Sequence, residues 1–204
     1  MTDTKTKILD AAERLFSQQG YSGTSIRQII SEAGVNLAAI HYHFGTKSAL
    51  VNQIFARKIV LVNQERLQLL DRLEAEFWNG PLPVEKVLDA LLLPVFMASK
   101  RNPDFIKLIG RFHGEGLIPR IASRHFEVIA SRFYAAFERA LPMLSEQERI
   151  MRIHCAIGAM AQILLVFPDE LQKIVCAPSE RIARQLIVFL NAGFSAPSSN
   201  NEPS

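Results

Sequence analysis

Side chains able to act on another molecule are thinly spread in this chain, and their spacings exclude most reactions. His41 and His43 stand two residues apart, so on a helix they point to nearly opposite sides and cannot share a metal ion without unwinding it. RFHGEG brings His113 and Glu115 close, an acid and a base in principle, but it reads as a loop with no third group to orient them. There is no glycine-rich phosphate loop, no H-E-x-x-H pair and no nucleophile elbow. Cys155 and Cys176 lie in apolar surroundings with nothing basic beside either thiol, so both read as reduced core residues. We therefore expect no enzyme, no metal site and no cofactor.

Recognition is a different matter. VNLAAIHYHFGTK, Val35 to Lys47, has the pattern of a short exposed helix followed at once by a tight turn and a new helix start. Asn36 is an N-cap for a helix from Leu37 to Phe44, with Ile40 and Phe44 on the face that must be buried. Gly45 supplies the positive φ of a helix stop, and Thr46 caps the helix that begins with Lys47. A helix this short must be held by neighbours. Lys5 to Gln19 carries Ile8, Ala12, Leu15 and Phe16 at helical spacing and stops at Gly20; Thr24 caps a second helix from Ser25 to Ala33, which stops at Gly34. One scaffold helix, a second helix, a turn and a short third helix make a helix-turn-helix layout, whose last helix is suited to the DNA major groove.

ILDAAERLFSQQGYSGTSIRQIISEAGVNLAAIHYHFGTKSAL, running from Ile8 to Leu50 without a gap, resembles the N-terminal pattern of the TetR family of bacterial regulators. The turn glycine, the aromatic and histidine near the end of the third helix and the following Gly-x-Lys occur together in the family's order. This resemblance implies that Leu37, Ala38, Ala39 and His41 face the groove, with Arg27 reaching its edge as the best bidentate reader of guanine. It further implies that Tyr42, His43 and Lys47 contact phosphates, with the helix N-termini at Thr24 and Thr46 offering backbone amides. For Tyr42, packing against the scaffold helix stands beside phosphate contact.

The remainder must position this head. With 204 residues, 49% hydrophobic, the chain suits a small DNA-binding domain and a larger helical one. A net charge of +3, spread along the chain, would not by itself point to nucleic acid. The N-terminus lacks a signal-peptide core, and the most apolar stretch, Cys155 to Phe167, is too short to span a bilayer and is interrupted by Gln162. The expectation is a cytoplasmic protein with no membrane association. Proline, glycine and cap signals predict helices over Thr46–Phe77, Val84–Ser99, Asp104–His113, Ile121–Leu141, Glu146–Phe167 and Ser179–Gly193, with a short extra turn near Asp169. The fold class expected is all-α with about nine helices: a helix-turn-helix domain over 1–46, an effector-binding and dimerisation domain over 47–194, and a disordered tail over 195–204.

Apolar stripes on the last two long helices suit self-association, and the resemblance places those helices in a four-helix dimer interface. The residues expected there are His154, Ile157, Gly158, Ala161, Leu165, Leu186 and Phe189. The middle of the chain is rich in phenylalanine. Leu92, Phe96, Phe105, Ile109, Phe112, His113, Phe126, Ile129, Phe133 and Met160 are candidates for a greasy effector pocket, with Arg111, His125 and Gln162 as polar groups for a headgroup. The whole implies a repressor that binds a palindromic double-stranded DNA operator as a homodimer and is released by a small lipophilic effector, such as a fatty acid or acyl-CoA. A looser resemblance to TetR-family regulators of fatty-acid metabolism points the same way. The rival is a helical adaptor or scaffold whose head binds protein.

Overall fold

The computed structural model describes residues 3–116, 123–166 and 179–198. The described residues form nine helices: α1 (Thr4–Gly23), α2 (Ile26–Ala33), α3 (Leu37–His43), α4 (Lys47–Glu76), α5 (Val84–Arg101), α6 (Pro103–Gly114), α7 (Ser123–Ala140), α8 (Glu146–Val166) and α9 (Ser179–Phe194). This is the all-helical architecture expected. The turn near Asp169, Cys176, and the side chains of His113, His125 and Leu165 lie outside the described residues.

Caps fix the start of each short element. Asn36 Oδ1 accepts from the Ala39 amide at 2.9 Å, and Thr46 Oγ1 accepts from the Ala49 amide at 3.1 Å. Each such cap is worth about 1 kcal/mol. Gly34 ends α2 at φ 63°, ψ 39°, and its amide donates back to the Ile30 and Ser31 carbonyls. The expected cap of α2 is corrected by one residue. Ser25 forms a capping box with Gln28, while Thr24 is only 2% exposed and donates its hydroxyl to the Gly20 carbonyl at 2.8 Å. Gly20 ends the regular run of α1 as expected, its φ of 74° and ψ of 177° being non-helical, and one further turn beyond it carries Tyr21 toward α6.

One continuous hydrophobic core joins head and body. Phe112 of α6 meets Phe16 and Tyr21 of α1, with ring centroids 6.0 Å apart in both pairs, and stacks on Phe55 of α4 at 5.9 Å. Arg57 of α4 donates to Asp10 and Glu13 of α1 at 2.9 and 3.1 Å, so the long helix is also tied to the head by charge. Farther along, Arg132 of α7 grips Asp71 and Glu74 of α4, and Arg184 of α9 forks onto Asp89 of α5. Helix α4 is thus tied to both the head and the body, and α6 gives the body a second, direct contact with the head through Phe112.

Pro94 interrupts α5 and removes the amide that would bond the Ala90 carbonyl. Beside this defect Arg66 Nε donates to the Leu91 carbonyl at 2.8 Å. At the other end of the chain, Arg152 captures the carbonyls of Gly193, Phe194, Ala196 and Pro197 at 2.7–3.2 Å, and Ser198 donates to Glu148. The expectation of a disordered tail from Ser195 is therefore corrected for residues 195–198, which these bonds hold. No helix among the described residues is long and apolar enough to cross a membrane.

Candidate nucleic-acid interface

Helix α3 is anchored on one side and bare on the other. Ile40 and Phe44 are buried in the core, and Ala39 is half-buried against it. Leu37, Ala38, His41 and Tyr42 are exposed, Leu37 at 52% and Tyr42 at 86%. Leu37 with His41, and Ala38 with Tyr42, are pairs four apart, so they form two adjacent rows on one helical face. Because α2 and the Gly34 turn hold α3 against α1, this face is fixed in orientation by the core beneath it. It offers methyl-bearing surface from Leu37 and Ala38, and hydrogen-bonding groups from His41 and Tyr42.

The other residues expected at this interface divide. Arg27, in the first turn of α2, is exposed and has no hydrogen-bond or ion-pair partner among the described residues, so its fork is available. His43 is half-buried, edge-on to Tyr42 with centroids 5.0 Å apart and tilted toward Phe44 at 6.0 Å. Ala39 belongs to the inner side of α3, a correction to its expected place on the groove face. Tyr42, at its exposure, is not packed against α1. Thr24 is buried, which removes its side chain from the interface.

Lys47 departs furthest from expectation. Its ammonium donates to the Tyr21 carbonyl and sits 4.1 Å from the Tyr21 ring centroid, turned in toward α1 instead of out toward a phosphate. Loss of solvation lowers its pKa, and the nearby Glu115 carboxylate partly offsets this by favouring the charged form. Ser25 and Gln28, both exposed at the start of α2, were not singled out from the sequence, although their S-x-x-Q spacing is a capping signature.

In the body, the expected pocket residues are packed as core. Leu92, Phe96, Phe105, Ile109, Phe112, Ile129, Phe133 and Met160 are buried, Phe126 is half-buried, and Phe55 gathers Phe105, Phe112 and Phe126 around it at 5.7–6.3 Å. A groove of about 230 Å³ is lined by Glu65, Gln68, Leu69, Arg72, Leu93, Pro94 and Met97, and another of about 590 Å³ by Ser131, Tyr134, Ala135, Glu138, Glu146, Arg149 and Ile150. Neither includes a member of that set. Gln162 is exposed, and Arg111 lies beside Gly20 at the head joint, so neither is placed to serve a headgroup in this core.

The expected dimer face is partly rotated. His154 and Phe189 are exposed, Phe189 at 72%, and Ile157 and Gly158 are half-exposed. A Cβ at Gly158 would meet nothing within 4 Å. Ala161 and Leu186, however, are buried within the protomer and are corrected to core. The outward stripes run instead through Met151, His154, Cys155 and Gln162 on α8 and through Arg181, Gln185, Val188 and Phe189 on α9. Cys155 is exposed, against its expected place in the core.

Comparison with known proteins agrees with this arrangement. The chain matches the family model for bacterial regulatory proteins of the tetR family over residues 8–54, and that for the tetracyclin repressor-like C-terminal domain over residues 89–193. It is 32% identical over 126 residues to the HTH-type transcriptional regulator AcrR of Shigella flexneri, a match covering 60% of this chain and 57% of that relative. The chain thus spans little more than half of that relative's length. A tetR-family transcription regulator from Shewanella sp. PV-4 superposes with a TM-score of 0.63 at 20% identity, over 91% of this chain and 96% of the other. NalD, the secondary repressor of the MexAB-OprM multidrug efflux pump in Pseudomonas aeruginosa, does so with 0.62 at 22% identity, over 93% and 96%. At those identities the two structures speak for the fold alone. With a family model on the head and a second on most of the body, the chain belongs to the TetR family of DNA-binding transcriptional regulators.

Proposed function

We propose that this regulator is a repressor that binds a palindromic operator as a homodimer, with α3 of each protomer in the major groove, and that a small lipophilic effector releases it. The observation that carries the reading is the bare face of α3: Leu37, Ala38, His41 and Tyr42 stand exposed on a helix whose opposite side is locked into the core. A seven-residue helix reads few base pairs, so two copies about one helical turn apart, or a multiple of it, are needed for specificity. Arg27 and His41 supply the hydrogen-bond readout, while Leu37 and Ala38 make close contact with thymine methyl groups. The outward stripes of α8 and α9, with the open backbone at Gly158, supply the dimer face.

Release follows from the way the domains are joined. The effector, a fatty acid or acyl-CoA, enters the phenylalanine-rich body and parts α4 from its neighbours; because Arg57, Phe55 and Phe16 couple α4 to α1, the separation of the two recognition helices changes. A full switch from 99:1 to 1:99 needs the effector to favour the released state by about 5.5 kcal/mol. The test is a binding-site selection on random duplex DNA, followed by mobility shifts with acyl compounds and with aromatic cations. Selection of a palindrome and its release by acyl compounds are expected. Recovery of no sequence preference would end the operator reading, and release by cations alone would end the acyl reading.

A further inference from the structure

Arg66 is the one buried arginine among the described residues, 4% exposed at the packed junction of α4 and α5. Its hydrogen-bond partners are both neutral: the Leu91 carbonyl at 2.8 Å from Nε and Asn63 Oδ1 at 3.2 Å from Nη1. No carboxylate pairs with it among the described residues. The arginines that bridge other helices are more exposed and are each paired: Arg57 with Asp10 and Glu13, Arg132 with Asp71 and Glu74, Arg184 with Asp89. The inverse would be expected on physical grounds, because an exposed guanidinium needs no partner and a buried one does.

A structural role accounts for only part of this. The Leu91 carbonyl lies beside the Pro94 defect in α5, and a donor there is useful, but a neutral amide or indole would serve without bringing a full charge into the core. Burial draws the Arg66 pKa down only to about 10, so the charge is present at neutral pH. Nη2, and one hydrogen of Nη1, meet no acceptor among the described residues, and Nη2 is not fully enclosed: the wholly buried side-chain nitrogens without a partner there are Arg57 Nε and Arg111 Nε. Nη2 and that hydrogen of Nη1 form the outer edge of the fork, the edge that takes a carboxylate through two parallel bonds. Val62 and Leu70, one turn away on α4, and Leu88 and Leu92 on α5 are all buried and apolar.

We infer that Arg66 receives the carboxylate of the effector, whose hydrocarbon chain lies among the apolar residues of α4 and α5. This rests on the reading of the body as a site for a lipophilic effector, and it narrows that effector to a free long-chain carboxylic acid. A coenzyme A headgroup is too bulky for a guanidinium this enclosed. The ligand compensates a charge that the protein alone leaves unpaired, and seating it separates α4 from α5 where Pro94 has already broken the α5 hydrogen-bond ladder.

The test is calorimetric titration of the full-length protein with dodecanoate, dodecanol and dodecyltrimethylammonium, each below its aggregation threshold, with operator release measured in parallel. Wild-type protein is expected to bind dodecanoate about 10- to 100-fold more tightly than dodecanol, the range for a hydrogen-bonded charge. Arg66→Gln, which keeps a donor for Leu91, is expected to abolish that preference while retaining operator binding. If wild-type protein binds acid and alcohol equally, or binds the cation best, the assignment of Arg66 fails while the lipophilic reading stands. If none of the three binds, the lipophilic reading fails and the assignment with it. Should Arg66→Gln not fold, the acid-to-alcohol ratio of the wild type decides the matter alone, and Arg66→Lys, which keeps charge but not the fork, is expected to retain part of the preference.

Discussion

The Lys47 ammonium donates to the Tyr21 carbonyl and lies over the Tyr21 ring, closing the last turn of α1 onto the first turn of α4. Loss of solvation lowers the Lys47 pKa and the Glu115 carboxylate, following α6, partly offsets it, while Phe112 packs edge-on against the same ring. Head and body therefore meet at a small cluster in which a cation holds the helix that leads into the body. A residue at the start of α4 that resemblance assigns to phosphate is here part of the joint.

Lys47→Ala should accordingly act on stability and on head placement. Loss of one hydrogen bond and of the cation–π contacts with Tyr21 and Phe16 is expected to cost about 1 to 2 kcal/mol of folding free energy. Operator affinity should fall while the slope of log affinity against log salt keeps its wild-type value, since removing a phosphate contact would reduce that slope by about 1. A flattened slope measured for this variant would return Lys47 to the phosphate backbone.

Gly20→Ala tests the same joint from α1. At φ 74° an L side chain is strained, and its Cβ would be forced against the Glu115 carboxylate and the Arg111 stem. About 1 to 3 kcal/mol of destabilisation is expected, read as a lower Tm. Gly34→Ala provides the comparison: at φ 63° and ψ 39° it is in the left-handed helical region, which an L residue adopts at a cost of about 1 to 2 kcal/mol, and nothing lies within 4 Å of a Cβ there, whereas Gly20 at ψ 177° lies in a region essentially closed to side chains. The loss at Gly20 should exceed that at Gly34 on both counts, backbone and contact, and equal losses would mean that the joint relaxes around the new side chain.

What could be read from the sequence follows how local each determinant is. Asn36, Gly34 and Thr46 act on backbone groups within a few residues, so the head was legible almost to the residue. Lys47 was not, because its direction depends on Tyr21 and Glu115, which only the fold brings near. On α8 and α9 the most apolar stripe suggests a dimer face, but a protomer uses its most apolar stripe for its own core. Ala161 and Leu186 went inward, leaving a mixed face with Met151 and Val188 outside. The phenylalanines show the same limit in another form: their burial was legible, but a packed core and a ligand cavity call for the same residue types. Arg66 was overlooked because an arginine on a long helix ordinarily reaches solvent.

The corrected interface gives a paired prediction. Phe189→Glu and Val188→Glu place charge on the outward face of α9, so each should yield a folded monomer with weakened operator binding, measured by sedimentation and circular dichroism. Leu186→Glu puts the same charge into the protomer core and should unfold the body, since an unpaired buried carboxylate costs several kcal/mol. A dimer that persists in both Val188→Glu and Phe189→Glu would move the interface to another face.

On the reading face, the structure separates residues that should carry sequence information from residues that only position the helix. Arg27→Ala and His41→Ala each remove an exposed hydrogen-bonding side chain without disturbing the core, so each should cost about 1 to 3 kcal/mol of specific affinity and relax preference at the bases it reads. Asn36→Ala removes the cap that starts α3 and should cost about 1 kcal/mol of stability. It should weaken binding to all operators alike, because it loosens the helix without changing what its face presents. Parallel selections on random duplexes decide this: the logos of Arg27→Ala and His41→Ala should each lose information at different positions, while Asn36→Ala keeps the wild-type logo. Unchanged logos for the first two would mean that the polar contacts of this head go to phosphate and that its specificity comes from the methyl-bearing surface of Leu37 and Ala38.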